Sequence, residues 1–308
     1  MDQFKNHPLN KRHNIDSAMN SLWDFYKKRF LALFLISFGM SLVIQYFSTF
    51  VNVQELSSIT DPMVMLEKMK EMIVPIIVVS VVNLLFNVIL QFYILFNPLD
   101  KENTFIASLL KSLRYFIPYL IIIILLAFAG LIAIVLGILV LVVGVFFSIL
   151  YIMTLYLFIL PVMMAEGSDI GNTISRTIAL AHRNFWPNMG WVAVFLIILI
   201  VASLILSGII LLPFTGNFIK TIMNPGETSE LVDMTKNPLF IILSALAGAL
   251  TMPLIPLFSC ILYFNGKASE NMSQVIPVTD PDDNRVKVED LYAKPYADDH
   301  PDNPENRV

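Results

Sequence analysis

The stretch that decides the fold is residues 115–164, YFIPYLIIIILLAFAGLIAIVLGILVLVVGVFFSILYIMTLYLFILPVMM, which contains no charged side chain. As a single helix rising about 1.5 Å per residue it would be about 75 Å long, whereas the hydrocarbon core of a bilayer is about 30 Å thick. The stretch therefore has to fold back on itself. Gly137 and Gly144 bracket the turn that we expect, and the result is two membrane spans joined by a very short loop.

The whole chain has the composition of a membrane protein. Of its 308 residues 56% are hydrophobic and 14% are charged, whereas soluble domains average about 45–50% and about 25%. The net charge of −4 gives no electrostatic footprint for nucleic acid. The single cysteine, Cys260, rules out a disulfide framework and a cysteine-based zinc site.

Apolar runs of about 20 residues, the length needed to cross a bilayer, recur along the chain. The sequence predicts an all-α integral membrane protein with six transmembrane helices arranged as three hairpins. The predicted spans are residues 30–51, 73–96, 115–137, 144–164, 189–214 and 238–264. Residues 1–16 then form a cytoplasmic N-terminal segment and residues 17–265 the membrane domain. The acidic, proline-rich residues 266–308 are predicted to be a disordered cytoplasmic tail.

The distribution of basic residues sets the expected orientation, because cytoplasmic loops carry the excess of lysine and arginine. The basic residues on one side of the predicted spans are those of the C-terminal tail together with Lys5, Lys11, Arg12, Lys27, Lys28, Arg29, Lys101, Lys111, Arg114, Arg176 and Arg183. Those on the other side are Lys68, Lys70, Lys220 and Lys236. We therefore expect a multi-pass protein of the bacterial inner membrane with both termini in the cytoplasm.

Three segments of the chain align without gaps, which indicates an internal repeat. They are residues 103–118 (NTFIASLLKSLRYFIP), residues 172–187 (NTISRTIALAHRNFWP) and, more loosely, residues 17–32 (SAMNSLWDFYKKRFLA). Each begins with a good helix N-cap residue, which is Ser17, Asn103 or Asn172. Apolar residues follow at helical spacing. We predict an amphipathic elbow helix in the cytoplasmic interface before each hairpin, at residues 17–29, 103–114 and 172–184.

The approach to the third elbow carries a family resemblance. Pro161 is followed by Glu166-Gly167, then by Ile174-Ser175-Arg176-Thr177, and then by the aromatic pair Phe185-Trp186. This order resembles the pattern in uncharacterised bacterial multispan proteins, including the membrane domain fused to some glycerophosphodiester phosphodiesterases. The resemblance implies a membrane module of unknown biochemical role. It does not imply the phosphodiesterase activity, because that chemistry belongs to a separate soluble domain.

Charged side chains near the cytoplasmic ends of the spans form a candidate interface for lipids or a protein partner. They are Glu166, Arg176, Arg183, Arg114 and Lys28. If the third elbow folds back, Glu166 can pair with Arg176 or Arg183. One interpretation is a site for an anionic lipid headgroup or a partner. The other is a structural ion pair that fixes the elbow.

Polar residues recur at four-residue spacing in the first two spans and so share a helix face. The second span carries Asn83, Asn87 and Gln91, and the first carries Ser37, Ser41 and Gln45. These rows form either a polar pathway between the two spans or a set of interhelical hydrogen bonds.

The predicted span interiors contain no Asp, Glu, Lys, Arg or His, which disfavours an ion-coupled transporter. No phosphate-binding glycine loop or hydrolase motif occurs, and we predict no metal site and no cofactor. The favoured function is a non-enzymatic scaffold, regulatory or lipid-interacting module, with membrane lipids and a further protein as candidate partners. The alternatives are a transporter for a small or amphiphilic solute, because Pro253 and Pro256 interrupt the sixth span, and a membrane enzyme.

Overall fold

A computed structural model describes residues 2–51, 59, 61–99, 105–216, 219 and 234–275, and all regular secondary structure in these residues is helical. The helices are α1 (Ile15–Lys28), α2 (Phe30–Ser48), α3 (Pro62–Phe96), α4 (Phe105–Leu139), α5 (Leu141–Glu166), α6 (Ile170–Arg183), α7 (Phe185–Leu211), α8 (Pro238–Thr251) and α9 (Leu254–Val275). Single 3-10 turns occupy Asp2–Phe4 and Leu212–Phe214.

Six segments of the described chain are long and apolar enough to span a membrane. They are formed by α2, α3, α4, α5, α7 with the 3-10 turn that follows it, and α8 together with α9. The predicted all-α, multi-pass membrane architecture is therefore confirmed. Much of the apolar surface of these helices is exposed on the protein, as expected for side chains that face lipid.

The chain turns within residues 115–164, between the two bracketing glycines. Helix α4 ends at Leu139 and α5 begins at Leu141, which leaves Val140 alone in the turn. A Cβ atom on Gly137 would lie 2.8 Å from the carbonyl carbon and oxygen of Gly144. The two backbones approach this closely because neither glycine carries a side chain.

Three helix boundaries differ from the prediction. Helix α3 extends the predicted span 73–96 back to Pro62, where the Asp61 side chain accepts a hydrogen bond from the Met63 N–H at 2.8 Å and caps the helix. The sixth span is two helices, separated at Met252 and Pro253. Helix α9 continues to Val275, so residues 266–275, which were predicted as part of the disordered tail, are helical. Residues 276–308 of the predicted tail lie outside the described residues.

Two of the three predicted elbows are separate helices of 14 residues, α1 before α2 and α6 before α7. Their N-caps are Asn14 and Asp169, three positions before the predicted caps Ser17 and Asn172. The backbone N–H groups of Ser17 and Asn172 instead donate to the cap side chains, at 2.8 and 2.7 Å. The Ser17 hydroxyl also accepts from the Asn14 N–H at 2.9 Å, which completes a capping box. The third predicted cap, Asn103, lies outside the described residues.

The predicted elbow at residues 103–114 is wrong in its described part, because α4 runs without a break from Phe105 to Leu139. In the alignment Tyr115 occupies the position of Arg29 and Asn184, the non-helical residues at which α1 and α6 end. Tyr115 is buried, with its ring 6.0 Å from that of Phe92. Helix α4 therefore continues through the position at which α1 and α6 end. Among the described residues, a separate short helix therefore precedes a span at two of the three predicted copies of the repeat, α1 before α2 and α6 before α7.

The N-terminal segment packs against one end of the bundle. Phe4 and Leu9 are buried, and the His7 Nε2 atom lies 3.3 Å from the carbonyl oxygen of Ile94 near the end of α3. The backbone N–H of His13 donates to Asn265 Oδ1 of α9 at 3.0 Å. This segment therefore ties together the ends of helices that are far apart in sequence.

Candidate lipid and partner interface

Glu166 is the centre of a charged cluster that joins α5, α6 and α9. Its carboxylate accepts a hydrogen bond from Arg176 Nε at 2.7 Å and lies 3.4 Å from Lys267 Nζ. The Tyr263 hydroxyl donates to the same carboxylate at 3.2 Å. The Glu166 side chain is only 10% exposed. Its negative charge therefore lies in a largely buried position, next to the two cations Arg176 and Lys267.

The local sequence explains why this cluster forms. Helix α5 ends at Glu166, and the next residue, Gly167, has φ = +120°. Residues other than glycine rarely adopt this backbone conformation. The chain reverses there, and the side chain of Asp169 caps α6. Arg176 is thereby directed back towards the end of α5. The ion pair of Glu166 with an arginine, expected from the sequence, is formed with Arg176.

A second basic cluster lies where α1 meets α2. A cleft of about 400 Å³ is lined by residues that include Lys11, Lys28 and Arg29. The Arg29 guanidinium donates to Asn97 Oδ1, just beyond the end of α3, and lies 5.2 Å from the centre of the Phe25 ring. Lys28 was selected from the sequence, but Lys11 and Arg29 were not. The feature of the sequence that indicates this cluster is the run of three basic residues at positions 27–29, where α1 ends and α2 begins.

The remaining two candidates of the predicted interface lie on other surfaces. Arg114 is exposed on α4, with its guanidinium carbon 4.6 Å from the centre of the Tyr115 ring. Arg183 is exposed at the last position of α6. The structure therefore distributes the five predicted residues over several helices and brings Glu166 and Arg176 into direct contact.

The two predicted polar rows contact different helices and do not form one pathway between α2 and α3. The Asn87 amide donates to the hydroxyls of Tyr119 and Tyr156 at 3.3 and 2.9 Å. The Gln91 amide donates to Cys260 Sγ of α9 at 2.9 Å. Asn83 is exposed. In this row Asn87 and Gln91 form interhelical hydrogen bonds, which was the second of the two interpretations.

The row on α2 faces α8. Ser41 is buried in close contact with the backbone of Gly248. Gln45 lines a cleft of about 260 Å³ between α2, α7 and α8. Four hydroxyl side chains line the same cleft, and they are Ser203, Ser207, Ser244 and Thr251. Gln45 is predicted from the sequence, and the four-residue spacing of Ser203 and Ser207 is the signal for the opposite wall of the cleft.

Burial controls the ionisation of the N-terminal histidines. It lowers the pKa of His7 to about 4, opposed by the hydrogen bond to the Ile94 carbonyl and aided by the charge of Arg29. It also lowers the pKa of His13. His7 lies between the rings of Phe25 and Phe264, with centroid distances of 6.2 and 4.8 Å. At neutral pH these imidazoles are therefore uncharged packing groups.

Comparison with protein-family models, with curated proteins and with solved structures finds no match to this chain. The resemblance of residues 161–186 to the membrane domain of glycerophosphodiester phosphodiesterases therefore stays a prediction.

Proposed function

We propose that the protein is a non-enzymatic module of the bacterial inner membrane that binds anionic lipids and organises its surroundings at the cytoplasmic face. The observation that carries this proposal is the segregation of charge. The cluster around Glu166 and the cleft with Lys11, Lys28 and Arg29 are both built at helix ends, whereas the predicted span interiors contain no charged residue.

The geometry supports a fixed binding surface. The Glu166 cluster holds α6 against α5 and α9, and the N-terminal segment is bonded to the ends of α3 and α9. A surface whose side chains are already ordered loses less conformational entropy on binding than a mobile one. The positive-inside rule favours the cytoplasm as the location of this end and of both termini.

A transporter is the second candidate, and one observation favours it. The cleft lined by Gln45 and four hydroxyl side chains lies within apolar helices, where polar groups commonly mark a solute pathway. Asn87 and Gln91 do not add to such a pathway, because they are occupied by bonds to Tyr119, Tyr156 and Cys260.

The two candidates are separated by what the protein retains when it is extracted from native membranes. We would extract the full chain in polymer-bounded lipid discs and measure lipid classes and small solutes by mass spectrometry, relative to the bulk membrane. The test variant replaces three exposed basic side chains, Lys28→Gln, Arg114→Gln and Arg183→Gln.

We expect the wild-type discs to be enriched in anionic lipid and the triple variant to lose most of this enrichment, because each basic residue near a membrane surface contributes about 1 kcal/mol of attraction. No enrichment in the wild type, together with a retained solute that is lost in Ser207→Val, would contradict the proposal and support transport.

A further inference from the structure

The cleft between the N-terminal segment and α1 has the charge of an anion site. Lys11 and Lys28 are both exposed at its wall. Neither lysine forms a salt bridge with another residue that the structure describes. The one carboxylate in the lining, that of Asp24, lies 3.4 Å from Lys27 Nζ, so its charge is already partly balanced. Three cations and one paired carboxylate leave the cleft positive.

Arg29 is the fixed member of this set of cations. Its guanidinium is held by the Asn97 side chain and by the face of the Phe25 ring. These contacts order a long side chain before any ligand arrives. A guanidinium presents several N–H donors in a fixed plane, which suits the oxygens of a phosphate group.

An apolar groove lies along α2 on the membrane side of this cleft. Its volume is about 390 Å³, and its wall includes Leu35, Ile36, Val43 and Phe86. Residues 36 and 43 are spaced by seven positions and so fall on nearly the same side of α2, and Arg29 directly precedes the first turn of this helix. Phe86 and Asn97 are eleven positions apart, which is about three helical turns. The Arg29–Asn97 contact therefore lies above the groove, between the same two helices.

The length of the groove matches one leaflet of a bilayer. At about 1.5 Å per residue, Leu35 to Val43 lie about 9–21 Å along α2 from Arg29, and half of the hydrocarbon core is about 15 Å thick. Gly39 lies within the groove, and a Cβ atom built on it would meet no atom within 4 Å. The groove therefore has open space beside Gly39, midway between Leu35 and Val43.

We propose that this cleft and groove together form a site for one anionic glycerophospholipid, with its phosphate at Lys11, Lys28 and Arg29 and an acyl chain between α2 and α3. The charge of the cleft selects an acidic headgroup, and the apolar groove selects a molecule that carries a chain. This inference rests on the proposed function, since it assigns one binding site to the lipid-binding module.

The test is a lipid titration of the full chain in detergent, followed by native mass spectrometry. Three probes are compared: dioleoyl phosphatidylglycerol, dioleoyl phosphatidylcholine, and glycerophosphoglycerol, which has the acidic headgroup without chains. We expect the wild type to prefer phosphatidylglycerol. The double variant Lys11→Gln/Lys28→Gln is expected to lose about 30-fold in affinity for this lipid, with little effect on phosphatidylcholine.

A second variant tests the groove without touching the charges. Gly39→Leu places a side chain in open space and is expected to weaken both lipids by about tenfold, the effect of displacing about two methylene groups. Gly208→Leu is the matched control, because Gly208 lies on α7 with equally open space. Lys70→Gln is the charge control, because Lys70 lies near the opposite end of α3 from Asn97. Neither control is expected to change binding.

Each remaining outcome overturns a different statement. If both site variants bind phosphatidylglycerol as the wild type does, the site is wrong but the lipid-binding function stands. If the wild type shows no preference for the acidic lipid, the proposed function fails as well. If glycerophosphoglycerol binds as tightly as the lipid and depends on both lysines, the occupant is a free phosphate diester. Unchanged burial of the Cys260 thiol in every variant verifies that it is folded.

Discussion

Replacing Glu166 with glutamine tests whether the charged cluster holds α6 against α5 and α9. Glu166→Gln keeps the size of the side chain and removes the negative charge that Arg176 and Lys267 contact. Removing one partner of a fully buried ion pair costs about 3–5 kcal/mol. The Arg176 and Lys267 side chains are 26% and 14% exposed, so solvent compensates part of the loss. We expect the free energy of unfolding to fall by about 2 kcal/mol.

A loss of this size is measurable as a thermal shift. At about 2–4 °C per kcal/mol, the conversion for domains of 150–250 residues, the upper bound on the decrease in Tm is about 4–8 °C. The single cysteine provides the assay, because Cys260 is fully buried. A maleimide that becomes fluorescent on reaction with a thiol therefore reports unfolding without any engineered label.

The control is an ion pair of the same type on the surface. Asp24 lies 3.4 Å from Lys27, and both side chains are more than half exposed. Asp24→Asn is expected to lower Tm by less than about 2 °C, because exposed pairs contribute little. If Glu166→Gln has no larger effect than Asp24→Asn, the cluster does not hold α6 in place. A further check is Arg176→Met, which should be less damaging in the Glu166→Gln background than in the wild type.

Two further predictions concern the hairpin turn and the N-terminal segment. Gly137→Ala is expected to reduce the folded yield in size-exclusion chromatography, because its Cβ would lie 2.8 Å from the Gly144 carbonyl. The control is Gly130→Ala, whose Cβ would have its nearest neighbour 3.7 Å away and which should behave as the wild type. Equal yields of the two variants would contradict the close approach of the two backbones. The pKa of His7 is lowered to about 4 in the folded protein, so as the pH decreases the unfolded chain binds a proton at this histidine before the folded protein does. The free energy of unfolding is therefore expected to fall by about 3 kcal/mol between about pH 6.5 and about pH 4. Thermal unfolding followed by intrinsic fluorescence should show a weaker pH dependence in His7→Phe, and an unchanged dependence would refute the assignment.

The membrane architecture could be predicted from the sequence because it depends on local properties. The length of each apolar run and the two glycines at residues 137 and 144 were sufficient for the hairpin. The positions of the two N-caps were missed by three residues for a local reason as well. Ser17 and Asn172 are good cap residues, but Asn14 and Asp169 are equally good and come first in the chain.

The candidate site depended on long-range packing, which the periodicity of the sequence does not specify. Helical spacing places Asn87 and Gln91 on one face of α3, but it does not say that α4, α5 and α9 are the neighbours. The contact of His7 with Ile94 joins residues 87 positions apart. Tyr115 aligns with two residues at helix ends, yet it is buried in the core and lies within the continuous helix α4.

The central claim is that the charged end of the bundle faces the cytoplasm, and labelling of single cysteines tests it most directly. Asp16→Cys places a thiol on α1, and Glu67→Cys places one in the first turns of α3; both positions are exposed. The unaltered chain, with Cys260 fully buried, is the unlabelled control. A membrane-impermeant maleimide added to intact spheroplasts is expected to label residue 67 and to reach residue 16 only after permeabilisation. Labelling of residue 16 in intact spheroplasts would contradict the orientation and, with it, the cytoplasmic lipid site.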